Sequence, residues 1–372
     1  MRVLALEPYY GGSHRAFLDG WVQRSCHQWT LLTLPAHQWK WRMRHAALTF
    51  VRQFDERVTA GDRWDVMFAS DMLDLAAFRG LSVQTQFLPP CVVYFHENQL
   101  TYPVRFEEER DTHFTFTNLT TTLAASAVWF NSNFHLREFY DTLPAWLARV
   151  PDRQPLESIR EACAKSTVQY PGVGAFSDRT FRRDGPLRIV WAARWEHDKN
   201  PDLFFEALEM LQSFDIDFRL HVVGEQFRNS PAIFKTARQQ FKDSIDQWGY
   251  QATREGFEGV LGDADVYVST ALHEFFGIGA VEAIRAGCFP LLPRRLAYPE
   301  LLELGDDTDI SPYFYDGSAR MLAERLRDLA NGLACGSSCY ESGEVARISC
   351  RRFDWDRRAR ELDAALELVA CT

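Results

Sequence analysis

Short apolar runs alternate with amphipathic stretches along almost the whole chain, and this alternation narrows the fold more than any other feature. Residues 3–6, 30–34, 65–70, 91–95 and 127–131 read as strands. An amphipathic stretch at 15–24 follows the first strand, and 111–125 and 133–147 read as helices. Such βαβ repetition requires right-handed crossovers and builds a parallel, doubly wound sheet. The polar, proline-containing segment 150–160 and the turn cluster Tyr170-Pro171-Gly172-Val173-Gly174 interrupt the series. A second series follows, with strands expected at 187–193, 218–224, 265–270 and 288–292. Asn200 is the expected cap of a helix whose first turn holds Pro201. The last helical stretch is 353–370. The expected fold is therefore α/β, with two Rossmann-like domains at 1–170 and 171–352 joined at about 170–185. Their parallel sheets are expected to face across a cleft. Residues 353–372 form a final helix that is a candidate to cross back to the first domain.

A chain of 372 residues suits two domains, and a hydrophobic fraction of 46% supplies two cores. A formal charge of −10 argues against a general nucleic-acid binder. Of the eight cysteines only Cys335 and Cys339 lie close, and no second pair or nearby histidine completes a zinc set. Reduced thiols are expected. The N-terminus is too short in apolar residues for a signal peptide, and no run approaches the ~20 needed to span a bilayer. A soluble cytoplasmic protein is the expectation.

Chemistry concentrates at strand ends. After the apolar run at 266–270, Gly277 and Gly279 open a helical pattern whose first backbone N–H groups can meet an anion. Glu274 and Glu282 bracket that opening, and carboxylates accept from paired hydroxyls such as those of a sugar or ribose. One short segment thus offers a phosphate seat and two hydroxyl readers. The loop Tyr9-Tyr10-Gly11-Gly12-Ser13-His14 follows the first strand. Gly11 and Gly12 allow close backbone approach to phosphate, although they also suit a tight turn, and Ser13 can cap the next helix. Arg194 and Lys199 stand at the start of the second series, where they can neutralise a departing diphosphate or form ion pairs with Glu196 and Asp198. His96 ends the run at 91–95, positioned either to meet a sugar hydroxyl or to be satisfied by backbone. Finally, Trp39-Lys40-Trp41-Arg42-Met43-Arg44-His45 interleaves cations with tryptophans. Lys40, Trp41, Arg42 and Arg44 can grip phosphates and stack on unpaired bases, or simply form a surface helix.

In their order, these features resemble the GT-B glycosyltransferases, and among them retaining glycosyltransferase family four. Longer stretches are similar to one branch, the tRNA-queuosine mannosyltransferases. They are residues 7–14, 34–36, 39–42, 94–100, 194–199 and 273–277, and the similarity runs from residue 1 to about 360. The resemblance implies that Gly11 and Gly12 lie against the donor diphosphate and that Arg194 and Lys199 bind it. It implies that His96 and Glu274 serve the transferring sugar. Backbone N–H groups from Phe275, Phe276, Gly277 and Ile278 would hold sugar and phosphate, and Glu282 the ribose. The implied donor is GDP-mannose and the implied acceptor is the cyclopentenediol of queuosine in a tRNA anticodon. RNA contact through Lys40, Trp41, Arg42 and Arg44 is a reading of the residues themselves.

Transfer with retention is expected, with the cations and the helix N-terminus stabilising the leaving diphosphate. No cofactor or metal is expected: Asp215-Ile216-Asp217 and Asp263-Ala264-Asp265 precede strands rather than follow them. Two other readings remain open. One keeps the fold with a lipid or polysaccharide acceptor, docked through an amphipathic basic stretch at 40–52. The other is a non-catalytic RNA-binding module. No stable membrane association is expected.

Overall fold

The first apolar run forms β1 (Arg2–Tyr10), whose residues 3–8 are all buried. A strand buried on both faces belongs in the interior of a parallel sheet. The computed structural model describes residues 1–103, 110–176, 184–302, 311–335 and 339–371. The stretch 177–183, within the joint expected at 170–185, lies outside the described residues. The chain divides into one unit of Met1–Gly172 with Trp355–Thr372, and a second of Val173–Asp354.

In the first unit β1 leads through α1 (Gly12–Val22), β2 (Gln28–Pro35) and α2 (Trp39–Thr59) to β3 (Val66–Ser70). Then come α3 (Leu75–Leu81), β4 (Cys91–Phe95), α4 (Thr112–Ala124), β5 (Ala127–Phe130), α5 (Asn133–Leu147), α6 (Leu156–Ala164) and β6 (Ser166–Val168). The six strands pair in parallel in the order β2-β1-β3-β4-β5-β6. Strand alternation sorts the side chains into two layers. Leu4, Leu6, Met67, Val93 and Phe95 pack with Phe50 and Phe54 of α2. Val3, Ala5, Phe68, Val92 and Tyr94 pack with Phe17 and Trp21 of α1. The second layer is completed from the far end of the chain by Trp355, Leu362 and Leu366 of the final helix (Trp355–Ala370). Its Asp363 accepts from Trp21 Nε1 at 2.8 Å and from the Cys26 amide at 2.8 Å. Gly20 and Gly172 make room for the Trp355 indole: an added Cβ would lie 2.3 and 2.2 Å from it.

In the second unit β7 (Leu187–Ala192) is followed by α7 (Pro201–Ser213), β8 (Phe218–Val223), α8 (Ile233–Gln240), β9 (Ile245–Gly249), α9 (Arg254–Asp263) and β10 (Val266–Val268). After α10 (Ile278–Arg285) come β11 (Phe289–Pro293), α11 (Tyr298–Leu301), β12 (Phe314–Tyr315), α12 (Ala319–Ala334) and α13 (Cys339–Ser349). The final helix, already described, is α14. The second sheet runs β12-β11-β10-β7-β8-β9, again parallel. Each sheet therefore has a point where strand order reverses. In the first unit it lies between β1 and β3; in the second it lies between β7 and β10. Loops leaving such points are where open α/β sheets place ligands.

Several local expectations are corrected. Ser13 does not cap α1: Gly11 takes that position, because its bare Cα touches the turn after β2, where a Cβ would come 2.4 Å from Ala36 Cβ. Asn200 precedes α7 but its side chain caps nothing; it sits in the left-handed region at φ 49°. The strand expected at 265–270 is Val266–Val268; Ser269 and Thr270 lie past it, their hydroxyls bonded to Tyr298 and to the Lys199 carbonyl. Phe353 belongs to a 3-10 turn, Cys350–Phe353, ahead of α14. The polar segment 150–160 runs into α6, and β6, β9 and β12 are strands without an expected counterpart. These strands have two to five residues, too few for a period to register.

Candidate functional site

In the second unit the switch point brings the loop after β7 against the loop after β10. Thr270 is the tie: its Oγ1 donates to the Lys199 carbonyl at 2.7 Å and receives the Trp191 indole N–H at 3.1 Å. The Leu272 amide donates to the Asp198 carbonyl at 2.8 Å. Lys199 is thereby buried, with Nζ donating to the His273 carbonyl at 2.8 Å. Its ammonium stands 3.0 Å from Asp198 Oδ2 and 3.5 Å from Glu274 Oε2. Burial works against its charge, but the two carboxylates outweigh it and hold the pKa above the ordinary lysine value. Arg194 lies further out, 44% exposed and paired with Glu196 at 3.3 Å. Its charge is felt at Lys199. The His273 ring is buried beside this cluster, and burial together with Lys199 lowers its pKa to about 4. It is uncharged near neutrality.

The chain then turns into α10 at Gly277, with φ 93°. A Cβ there would lie 3.0 Å from the Tyr298 ring, so both conformation and space require glycine. The first N–H groups of a helix have no acceptor within it, which makes the start at Ile278 and Gly279 a seat for an anion. Phe275 and Phe276 are buried, and Phe276 meets the Phe353 ring edge-on at 5.3 Å. What these two residues offer a ligand is main chain. Glu282 follows one turn into α10. Its side chain is 14% exposed and Oε1 accepts from Arg254 Nη1 of α9 at 2.6 Å. Burial raises the Glu282 pKa and Arg254 opposes that rise.

The first unit has its own cluster at its switch point. Gly12 turns the chain after β1 with φ 52°. Glu7 is buried, and its carboxylate accepts from the Tyr9 amide at 2.8 Å, from Ser70 Oγ at 3.0 Å and from His14 Nδ1 at 3.3 Å. Burial resists charge on His14, but Glu7, with Asp71 and Glu97, outweighs it and raises the pKa to about 9. The His14 ring lies 4.1 Å from that of His96, tilted by 35°. His96 leaves the end of β4; its amide donates to Asp71 Oδ1 at 3.0 Å. Burial first, then the charge on His14, hold the His96 pKa well below the ordinary value.

On α2, Lys40 and Trp41 are exposed, Trp41 by 61%. Arg44 pairs with Asp111 at 3.1 Å and stacks over Phe114 at 4.6 Å. Arg42 is a correction to the expected RNA-contacting set. It is buried, donating from Nε to the Pro35 carbonyl at 2.9 Å, with Nη1 3.0 Å from His45 and Nη2 3.3 Å from His37. Its guanidinium fastens α2 to the end of β2.

The structure thus brings together Lys199 with Glu274, and Gly12 with His96 through the Glu7–His14 pair; it sets Glu282 against Arg254. Arg254, Glu7 and His14 were not singled out from the sequence as site residues. Glu7 and His14 could have been, because residues flanking a glycine pair at a strand-to-helix turn are brought face to face. Arg254 carries the pattern of an ordinary surface helix, with an i,i+4 partner in Glu258, and nothing in it points to residue 282.

Comparison with known proteins adds the family context. Residues 2–173 match the family model described as tRNA-queuosine alpha-mannosyltransferase N-terminal, and 175–332 match glycosyl transferases group 1. A tRNA-queuosine alpha-mannosyltransferase of Drosophila melanogaster is 34% identical over 80% of this chain and 81% of its own length. A GDP-mannose-dependent alpha-(1-6)-phosphatidylinositol dimannoside mannosyltransferase of Mycobacterium tuberculosis is 26% identical over 56% of this chain and 54% of its own. Among solved structures, the sucrose-phosphate synthase of Thermosynechococcus elongatus aligns with a TM-score of 0.70 at 14% identity, covering 100% of both chains. Anabaena HepE in complex with UDP gives 0.65 at 15% identity, covering 99% of this chain and 100% of its own. These two likenesses establish a GT-B fold.

Proposed function

The chain belongs to the tRNA-queuosine alpha-mannosyltransferase family, and from that premise we propose that it moves mannose from GDP-mannose, with retention of configuration, to the cyclopentenediol of queuosine in a tRNA anticodon. The observation that carries this reading is the meeting of Lys199 and Glu274 at the second unit's switch point, directly before the open N-terminus of α10. A cation and a row of backbone N–H groups suit a diphosphate, and a half-exposed carboxylate beside them suits sugar hydroxyls.

In this reading Lys199, Arg194 and the amides of Phe275, Phe276, Gly277 and Ile278 stabilise the negative charge that grows on the departing diphosphate. Such preorganised donors are worth about 3–4 kcal/mol each when they act on developing charge. Glu274 orients the sugar and Glu282 accepts from the ribose hydroxyls. For Gly11, Gly12 and His96 of the first unit, the family resemblance implies a donor-binding role. The leaving phosphate takes the acceptor proton, and the cations supply the charge neutralisation that other glycosyltransferases draw from a divalent ion. Lys40, Trp41 and Arg44 hold the anticodon arm. The reaction needs no metal and proceeds in the cytoplasm, where the acceptor is found. Among the described residues, no helix is long and apolar enough to cross a membrane.

The test is direct. Purified protein with labelled GDP-mannose should label aspartate tRNA bearing queuosine and leave the same tRNA without queuosine unlabelled. Label entering lipid extracts while the tRNA stays blank would replace this reading with the lipid-acceptor one. Label entering nothing would favour the binding module.

A further inference from the structure

We propose that Glu7 and His14 are positioning residues that act through His96: their ion pair lies against one face of the His96 ring and keeps that ring a neutral hydrogen-bonding group at the end of β4. The inference rests on the proposed function for what His96 meets, but its physical content belongs to the first unit alone.

Three observations carry it. Glu7 is 1% exposed and already receives the Tyr9 amide and Ser70 Oγ, so its carboxylate is held in place facing His14. The His14 ring is only 4.1 Å from the His96 ring, centre to centre, close enough for one charge to oppose another directly. His96 has a buried Nε2 with no hydrogen-bond partner among the described residues. Other groups surround the ring: Asp71 from the loop after β3, Glu97 beside it, Tyr94 on β4, Phe17 on α1 and His135 on α5. Asp71 uses its carboxylate on the His96 amide, and burial raises its own pKa, which weakens it as a counter-charge. His135 adds further opposition to a charge on His96. The balance leaves His14 as the bearer of the proton.

The chemistry gives this arrangement a purpose. Glycosyl transfer builds positive charge at the sugar carbon in the transition state. A cationic histidine there would oppose that charge. A neutral one can hydrogen-bond to a sugar hydroxyl without doing so.

The experiment is a histidine NMR titration of the full chain, ring-labelled, with the His96 signal assigned through His96→Gln. In the wild type the His96 ring should stay neutral through the range where an ordinary histidine takes up its proton, while His14 remains charged. In His14→Gln and, independently, in Glu7→Gln, the His96 titration should move up toward the ordinary histidine value, with burial still holding it below. The acid limb of kcat/KM should rise with it, giving roughly tenfold loss per pH unit below that point. A His96 titration unchanged in either folded variant overturns the proposal, whatever the acceptor proves to be. So does a zinc titration that shifts the His14 and His96 rings together at micromolar metal, which would assign the cluster to an ion. Shifted His96 titration without transfer to tRNA would uphold this inference and count against the proposed function instead.

Discussion

Arg254 Nη1 stands 2.6 Å from Glu282 Oε1, so the carboxylate proposed to read a ribose is held in advance by a cation from the neighbouring helix. Burial alone would favour the protonated acid, and Arg254 counters it. Arg254→Ala should therefore weaken GDP binding by about tenfold and raise its dependence on pH, because a protonated Glu282 accepts hydroxyls poorly. A 2′,3′-dideoxy nucleotide should bind the wild type and the variant equally. Calorimetry with both nucleotides checks this; equal losses for both would mean Arg254 serves something other than the ribose reader.

Glu274→Ala should abolish transfer and leave tRNA binding intact, since α2 is a separate element. Lys199→Met is expected to cost about a hundredfold or more in kcat, the scale for removing one stabiliser of developing negative charge. It also leaves Asp198 and Glu274 without their shared cation, so a fall in melting temperature should accompany it. Single-turnover rates and thermal unfolding separate the two effects.

On α2 the substitutions should split. Lys40→Ala and Arg44→Ala should each lower the salt slope of tRNA binding by about one, and Trp41→Ala should cost about 1–3 kcal/mol of affinity. Arg42→Ala should instead destabilise the fold by about 1–3 kcal/mol, because the buried guanidinium's bonds to Pro35, His45 and His37 are lost. A folded Arg42→Ala protein should bind tRNA like the wild type. Anisotropy titrations at several salt concentrations give both readouts.

His273 makes the second unit sensitive to acid. Its folded pKa, about 4, lies below the ordinary 6.5, so between these values the unfolded chain binds the proton first. Stability is full above about 6.5 and is lost as pH falls toward 4. Urea unfolding from pH 7 to pH 5 should cost the wild type about 2 kcal/mol more than His273→Asn. A parallel loss in both would remove His273 from the account.

Gly277→Ala should cost about 1–3 kcal/mol, since φ 93° strains any side chain and Tyr298 leaves no slack. Its donor affinity should fall as well, because the strain would displace the first amides of α10. A variant with unchanged melting temperature and unchanged GDP affinity would show that this turn is not needed in its present form.

The sheets were legible because parallel strands buried on both faces leave unbroken apolar runs, as in residues 91–95, and because helix α5 spans Asn133–Leu147 as its periodicity requires. The GT-B pairing of two such sheets followed from motif order rather than from any single run. Short strands such as Phe314–Tyr315 carry no period and left no trace. At the candidate sites, the closeness of Lys199 and Glu274 follows from strand order, since β7 and β10 are neighbours although 75 residues separate the two side chains. Arg254 and Arg42 were opaque for one reason: a guanidinium's partner is set by tertiary geometry, and arginines bound for solvent and for a buried acceptor look alike in a sequence.

The final helix has a consequence for how the chain is made. Trp355, Leu362 and Leu366 are part of the first unit's core, so residues 1–172 leave the ribosome with one wall of that core missing. At cellular translation speeds the missing wall arrives on the order of ten seconds or more later. During that wait Trp21, Phe68 and Tyr94 stay uncovered on one side. A nascent-chain holdase has its natural target there, and the second unit has time to fold before the first can close.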